Sequence, residues 1–441
     1  MKIHTILYAF LLCIGLLLTG CDSEPQGNTA AVPQEKLTLK EYTIDEIYCD
    51  PRYADDYLSP VLQRMQIYPA ESMTYLYAGS PVSDADPVWH TIYKKEDGTL
   101  SVLHDPFCYD PLCTHSNITC LAYATKGTGE LIPFEDKVYF AALGNPGTSN
   151  FIEYSLSTGK HTVINTHESG RIITRMGRFI YFMETLVTGQ DKTGKQEELK
   201  ALHRYDLETG KTDYLGERSG DTYFGSPTPY NGEIYYTYAN AVYKCDYNLR
   251  YPQKISGDYK IKMFEIRDGV LWFLTETGDV MSKLYRKNLD GGDSELLYEN
   301  VTWFCIDGDT LYYSLYDPID AFEWEIWMKT KDGQSKKLVT KMVQQYFRNT
   351  IYRISPDKAG KKGTAAPFCE TLTDKDFYLA DVYAIHNGML IGQFKEPYSE
   401  GTRKGMTTGK AVIDVETGDI IRITSISYFP ENTVFPYEET D

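Results

Sequence analysis

A glycine-bearing turn recurs about every forty residues along most of this chain, and few folds accommodate that rhythm. The turns read Glu96-Asp97-Gly98, Ser157-Thr158-Gly159, Glu208-Thr209-Gly210, Leu289-Asp290-Gly291, Lys331-Asp332-Gly333 and Glu416-Thr417-Gly418. Around Tyr247-Asn248 the same position lacks its glycine. A second series precedes them at Glu135-Asp136, Met176-Gly177, Asn231-Gly232, Asp268-Gly269, Asp307-Gly308 and Asn387-Gly388. Tight hairpin loops need a residue at positive φ, which explains the Gly, Asn and Asp at both series. Strands such as Val138–Leu143, Phe179–Met183 and Ile234–Tyr238 follow the second series directly. Two hairpins per repeat make four strands, and four strands per repeat are a propeller blade. The expected fold is an all-β propeller of about seven blades, at 60–104, 129–166, 171–217, 221–257, 260–299, 301–340 and 378–425. A two-sheet sandwich shares the strand content but not the internal period.

Residues 105–128 and 341–377 break the rhythm and read as insertions in a propeller domain spanning 37–441. A lone four-stranded sheet has open edges and two apolar faces, so the blades must stack in a ring. A closing strand is expected from Ile44–Tyr48 or from Ser425–Phe429. The composition agrees: 37 Tyr, 18 Phe and 5 Trp suit pleated, half-buried surfaces.

The first twenty residues have a different logic. Lys2 precedes an apolar run from Ile6 to Leu18, and the run ends at Leu18-Thr19-Gly20-Cys21. A basic start, a short apolar core and a small-residue cleavage site make an export signal, too short for a stable membrane span. Its end resembles the bacterial lipobox. That resemblance implies removal of 1–20, diacylation of Cys21 as the first mature residue, and a place on the outer face of the cytoplasmic membrane. Residues 21–36, polar and free of aromatics, read as a spacer. Removal of the signal takes away Lys2 and no acid, so a net charge of −18 becomes −19. That balance argues against nucleic acid as a partner.

The sharpest local feature is Cys108-Tyr-Asp-Pro-Leu-Cys113-Thr-His115-Ser-Asn-Ile-Thr-Cys120. Three thiols and an imidazole within thirteen residues suit zinc, which takes four such ligands in a tetrahedron. The spacing departs from compact CCHC knuckles, with four residues between the first two cysteines rather than two, and His104 is an alternative ligand. In an exported chain a disulfide from Cys108 or Cys113 to Cys120 fits the same residues, and reduced, inert thiols are the third reading. Seven cysteines remain after Cys13 and Cys21, so they cannot all pair within the chain. Cys49, Cys245, Cys305 and Cys369 read as small buried apolar side chains. Together, lipobox, spacer, repeats and the Cys-x-Asp-Pro-x-Cys-x-His element resemble uncharacterised surface lipoproteins of Gram-positive gut bacteria. The resemblance implies a location and a fold, and no catalysis.

The densest aromatic and acidic stretch contains Tyr316, Asp317, Asp320, Trp324 and Trp327. Such residues stack on sugars and accept their hydroxyls, and they equally make ordinary packed strands with a solvated turn. The chain has no Gly-x-Ser-x-Gly, His-Glu-x-x-His, phosphate loop or EF-hand spacing. The expected function is therefore a non-catalytic surface module binding a protein, peptide or glycan at a propeller face. The alternative is a carbohydrate-active hydrolase or lyase using acids at the propeller mouth. A substrate-capturing lipoprotein of a transporter would need a two-lobed hinged fold, which the repeats do not suggest.

Overall fold

A computed structural model describes residues 39–428 except 55–57, 71–72, 78–88, 105, 109, 111, 115–116, 126–129, 145–147, 168–169, 191–195, 220–223, 277–281, 330–334, 362–364, 371–377, 401–402, 415–416 and 424–425. It gives the backbone alone at 167, 196–197, 219, 316–329, 335–352, 366–370, 378–381, 395–400, 403–406 and 426–428. The signal, Cys21, the spacer and His115 lie outside the described residues.

The chain is an all-β propeller of four-stranded sheets. The first sheet takes β1 (Ile67–Pro69), β2 (Thr74–Tyr77), β3 (Trp89–Lys94) and β4 (Leu100–His104). The second takes β5 (Leu131–Phe134), β6 (Lys137–Leu143), β7 (Ser149–Ser155) and β8 (His161–His167). The third takes β9 (Gly170–Met176), β10 (Phe179–Gln190), β11 (Gln196–Asp206) and β12 (Lys211–Ser219). The fourth takes β13 (Gly225–Tyr230), β14 (Glu233–Tyr238), β15 (Ala241–Cys245) and β16 (Gln253–Lys254). The fifth is seven-stranded: β17 (Ile261–Arg267), β18 (Val270–Thr275), β19 (Ser282–Asn288), β20 (Glu295–Asp307), β21 (Thr310–Lys329), β22 (Ser335–Ile354) and β23 (Ala366–Glu370). The last runs β24 (Tyr378–His386), β25 (Met389–Glu400), β26 (Arg403–Asp414), β27 (Ile420–Arg422), and β28 (Ile426–Tyr428) also pairs with β26.

Six continuous sheets stand where about seven were expected, and the difference is one merger. Residues 295–298 of β20 pair with β19, whereas Val301–Asp307 pair mainly with β21. Asn300 between them has φ 60°, so one strand closes one four-stranded unit and opens the next.

The turns behave as the repeat implied. Asn231, Asp268 and Asn387 sit at φ 51°, 49° and 48°, each ahead of a glycine also at positive φ. In the fourth sheet, where the glycine is missing, Leu249 takes φ 59° instead. One assignment is corrected. The first series was expected to join third and fourth strands, but Lys331-Asp332-Gly333, outside the described residues, falls in sequence between β21 and β22, the second and third strands of their unit. Each of those strands is 20 residues long, so the period is stretched there. The stretch 341–377, expected to be an insertion, holds the end of β22 and all of β23.

The core lies in the seams between successive sheets. Tyr75, Trp89, Phe140, Tyr154, Phe151 and Phe182 belong to one cluster across the first three sheets. Phe264 and Phe273 pack with Tyr235 across the fourth and fifth. Trp303, Phe304, Ile385 and Leu390 join the fifth to the last. Leu76 and Ile92 of the first sheet pack with Ala384, Ile391 and Val412 of the last. Each such side chain contributes roughly 1.5–3 kcal/mol on full burial. The third-to-fourth seam is more polar: the Tyr181 hydroxyl donates to the Tyr247 carbonyl at 2.7 Å, and buried Arg204 donates to Asn248 at 2.8 Å.

Neither expected closing strand bridges first and last sheets. Ile44–Ile47 is a helical turn, α1, with Thr43 and Glu46 in a reciprocal capping box. β28 stays within its own sheet. Closure among the described residues is made by side chains, including Lys94 to buried Asp414 at 2.9 Å.

Candidate functional site

The axis of the ring is plugged. A second short helix, α2 (Pro60–Arg64), packs against β1, β13, β17 and β24, the first strands of four units. Ser59 caps it by accepting from Leu62 N at 3.2 Å, and Pro60 stands at the first helical position. The Ser59 hydroxyl also donates to buried Glu265 of β17. Gln63 Nε2 donates to the carbonyls of Leu58 and Pro227 at 3.0 and 2.9 Å. Val61 and Leu62 pack into two different seams, those on either side of the last sheet.

Above the plug lies a cavity of about 630 Å³. Its walls are the ends of β5, β9, β17, β20 and β24, with Leu62, Gln63 and Tyr68 towards the plug. Because every unit turns from its first to its second strand at the same end, residues at and just before those turns converge there. They are Phe134 and Glu135, Thr174 and Arg175, Arg267, Asp307, and His386 with Asn387. Arg175 stacks over the Phe134 ring at 4.7 Å and donates to the Gly177 carbonyl at 2.8 Å. Asp307 faces His386 Nδ1 at 3.4 Å and accepts from Asn387 N at 3.0 Å. Glu135 faces Arg52 at 3.6 Å, and Arg52 also meets Glu208 at 3.0 Å. The lining therefore mixes apolar side chains with charged and hydrogen-bonding ones.

The cysteine element forms a second site. The Sγ atoms of Cys108, Cys113 and Cys120 all lie within 4.8 Å of one another, and none is in a disulfide. Two turns bring them together. Asp110 accepts from Leu112 N at 2.9 Å, and Cys113 N donates back to the Asp110 carbonyl at 3.1 Å. Asn117 accepts from Thr119 N at 3.0 Å, and Cys120 N donates to the Asn117 carbonyl at 3.1 Å. Cys120 then opens the short helix α3 (Leu121–Ala124) without capping it through its side chain. Burial, reinforced by the neighbouring thiols, pushes the Cys120 thiol up to about 12. The arrangement is a position that can bind a metal ion.

His104 turns away from this cluster: its Nδ1 lies 2.8 Å from Nδ1 of buried His90. Cys245 and Cys305 are buried as expected, with burial raising both thiols, whereas Cys49 is exposed. Tyr316, Asp317, Asp320, Trp324 and Trp327 are spread along β21, opposite Asn349, Arg348, Tyr346, Met342 and Lys337 of β22. At 3.3 Å per residue the first and last stand about 36 Å apart along the strand, too far to share one small site. Their side chains lie outside the described residues. The sequence reading missed the mouth residues Arg175, Arg267, Asp307 and His386. The turn series it did identify marks their positions: Arg175, Arg267 and His386 stand one residue before their turns, and Asp307 is the first residue of its own.

No protein-family model and no curated protein matches this chain. Solved structures are similar at low identity. A puromycin-hydrolyzing peptidase of Mycobacterium tuberculosis is 12% identical with a TM-score of 0.42, over 83% of this chain and 55% of that one. An oligogalacturonate lyase in complex with manganese is 10% identical with a TM-score of 0.38, over 83% and 96%. The β-propeller domain of the Trilobed protease from Pyrococcus furiosus is 12% identical with a TM-score of 0.27, over 56% and 82%. This chain thus spans about half of that peptidase.

Proposed function

We propose that this protein is a lipid-anchored, extracytoplasmic binding module that takes the end of a peptide or glycan chain at the propeller mouth. The observation that carries the reading is the blind cavity of about 630 Å³ whose inner end α2 occupies. A plugged axis cannot pass a chain through, so it favours capture of an end over threading. Small-ligand sites commonly hold about 300–1,000 Å³. Glu135 already faces Arg52 and Asp307 already faces the His386 imidazole, which favours recognition over a pair of free acids. The anchor rests on Cys21 and its lipobox-like context. In the same reading the cysteine triangle is a structural clip, with zinc the ion its thiols suit, and not a reacting centre.

The test is an array of envelope and host peptides and glycans probed with the purified mature chain. At least one class should bind without being degraded, and Ala70→Trp, which fills the mouth, should weaken it tenfold or more. Binding indifferent to Ala70→Trp would move the site elsewhere and sink the reading. Turnover of a bound ligand, lost in Asp307→Asn, would replace the module with an enzyme. The anchor is read by fractionation: the native chain should sediment with membranes and Cys21→Ala should not.

A further inference from the structure

We propose that Cys108, Cys113 and Cys120 hold one thiophilic divalent cation, zinc in the native protein, and that this ion fastens the segment between the first two sheets to their seam. The assignment deepens the structural-clip reading and stands apart from ligand binding at the mouth, since metal content and mouth binding are separate readouts.

Three features of the site converge on it. The first is the triangle itself. Zinc bound at about 2.3 Å in a tetrahedron places its sulfurs roughly 3.8 Å apart. Three sulfurs mutually within 4.8 Å need only a small contraction to meet that spacing. A disulfide would use two of them and leave the third thiol stranded beside the bond. Second, the backbone is arranged before any ion arrives. Asp110 and Asn117 each fold the chain back one turn ahead of a cysteine, so little ordering remains on binding. Third, the cysteines line a cavity of about 550 Å³, which leaves room for a fourth ligand, and His161 at the start of β8 lines the same cavity. On coordination each thiol gives its proton to solvent and binds as thiolate, with no change of oxidation state.

What the ion would fasten is visible next to it. Phe107, one residue before the first ligand, is buried with its ring 6.0 Å from Tyr75 of β2. The same ring lies 4.9 Å from Phe140 of β6 and 5.4 Å from Tyr154 of β7. Leu121, one residue after the last ligand, belongs to the same cluster. The two ends of the cysteine element therefore insert apolar side chains into the first-to-second seam, and a metal ion would tie those ends together. Without it the seam would depend on a loop that has no strand of its own among the described residues.

The experiment uses the full mature chain, purified without chelator. Elemental analysis should find about one zinc per chain. Replacement by cobalt(II) should give sulfur-to-metal charge-transfer absorption, and a strong chelator should lower the melting temperature by several degrees. Cys113→Ser, at a partly exposed position, should lose the ion, while Cys49→Ser, exposed and elsewhere, should keep it. Wild-type metal content decides the matter even if Cys113→Ser fails to fold. Folded wild-type chain with no bound metal and no charge-transfer band after zinc or cobalt loading would overturn the proposal. So would a disulfide joining any two of the three cysteines, found by mass spectrometry of the unreduced chain.

Discussion

Lys410 is a lysine whose surroundings work against its charge. It lies on β26, its ammonium donates to the Tyr77 carbonyl of the first sheet, and it stands 5.6 Å over the Tyr383 ring. Burial pulls its pKa down from 10.5 to about 8. Below pH 8 the lysine is protonated in both folded and unfolded chains, and the full desolvation cost is present. Between about 8 and 10.5 the unfolded chain binds more protons than the folded one, so this residue's contribution improves as pH rises. The cost relieved is on the order of 3 kcal/mol at most. Lys410→Met removes the dependence. The stability gap between native and variant chains, from urea midpoints at pH 7, 9 and 10, should shift in favour of the native chain as pH rises. A constant gap would show that Lys410 titrates normally. Nothing in the sequence marks this lysine, because part of its surroundings, the Tyr77 carbonyl, comes from a sheet more than three hundred residues away.

Turns are the element at which the sequence was most legible. Gly177 and Gly308 were identified in one series, and both have positive φ, 55° and 54°. Their surroundings differ. A Cβ on Gly177 would meet the Ile47 carbonyl oxygen at 2.5 Å, the same oxygen that accepts from Arg178 N at 3.1 Å. Around Gly308 nothing lies within 4 Å. Gly308→Ala should therefore cost only the backbone strain, about 1 kcal/mol. Gly177→Ala should cost about 2–4 kcal/mol, because α1 must lift off the turn. Equal losses of melting temperature would refute the docking of α1. The turn series located the propeller repeat and its order because positive φ has few residue solutions, and overcounted the continuous sheets by one. It failed where β21 and β22 outgrew the repeat, since a longer hairpin keeps the same turn chemistry. The mouth was recoverable from the repeat, whereas the cysteine triangle was recognisable as a cluster without its geometry. Spacing alone leaves disulfide and metal equally open, and only the folding of Asp110 and Asn117 brings three sulfurs to one point.

At the scale of the whole ring, the first sheet comes entirely from β1–β4 and the last from β24–β28, so no described strand is exchanged between them. A ring closed by strand exchange is held by backbone hydrogen bonds. This one is held at its joint by packing and by ion pairs. Leu76 and Ile92 meet Ile391 and Val412 there, all fully buried, and Lys94 reaches Asp414. No ladder crosses any seam between the six sheets, but successive sheets are also joined by the chain itself, whereas the joint has no such connection and is accordingly the place where opening costs least. Ile92→Ala, at a fully buried position, should destabilise the protein by about 2–4 kcal/mol. Its more informative effect is local. In native-state hydrogen exchange, amides of β4 and β27, which face each other across the joint, should exchange faster in Ile92→Ala. Amides of β10 and β11, in the third sheet, should slow or quicken only with global unfolding. Uniform acceleration across all sheets would mean that the ring opens as one unit, and that side-chain closure is no weaker than the strand ladders within each blade.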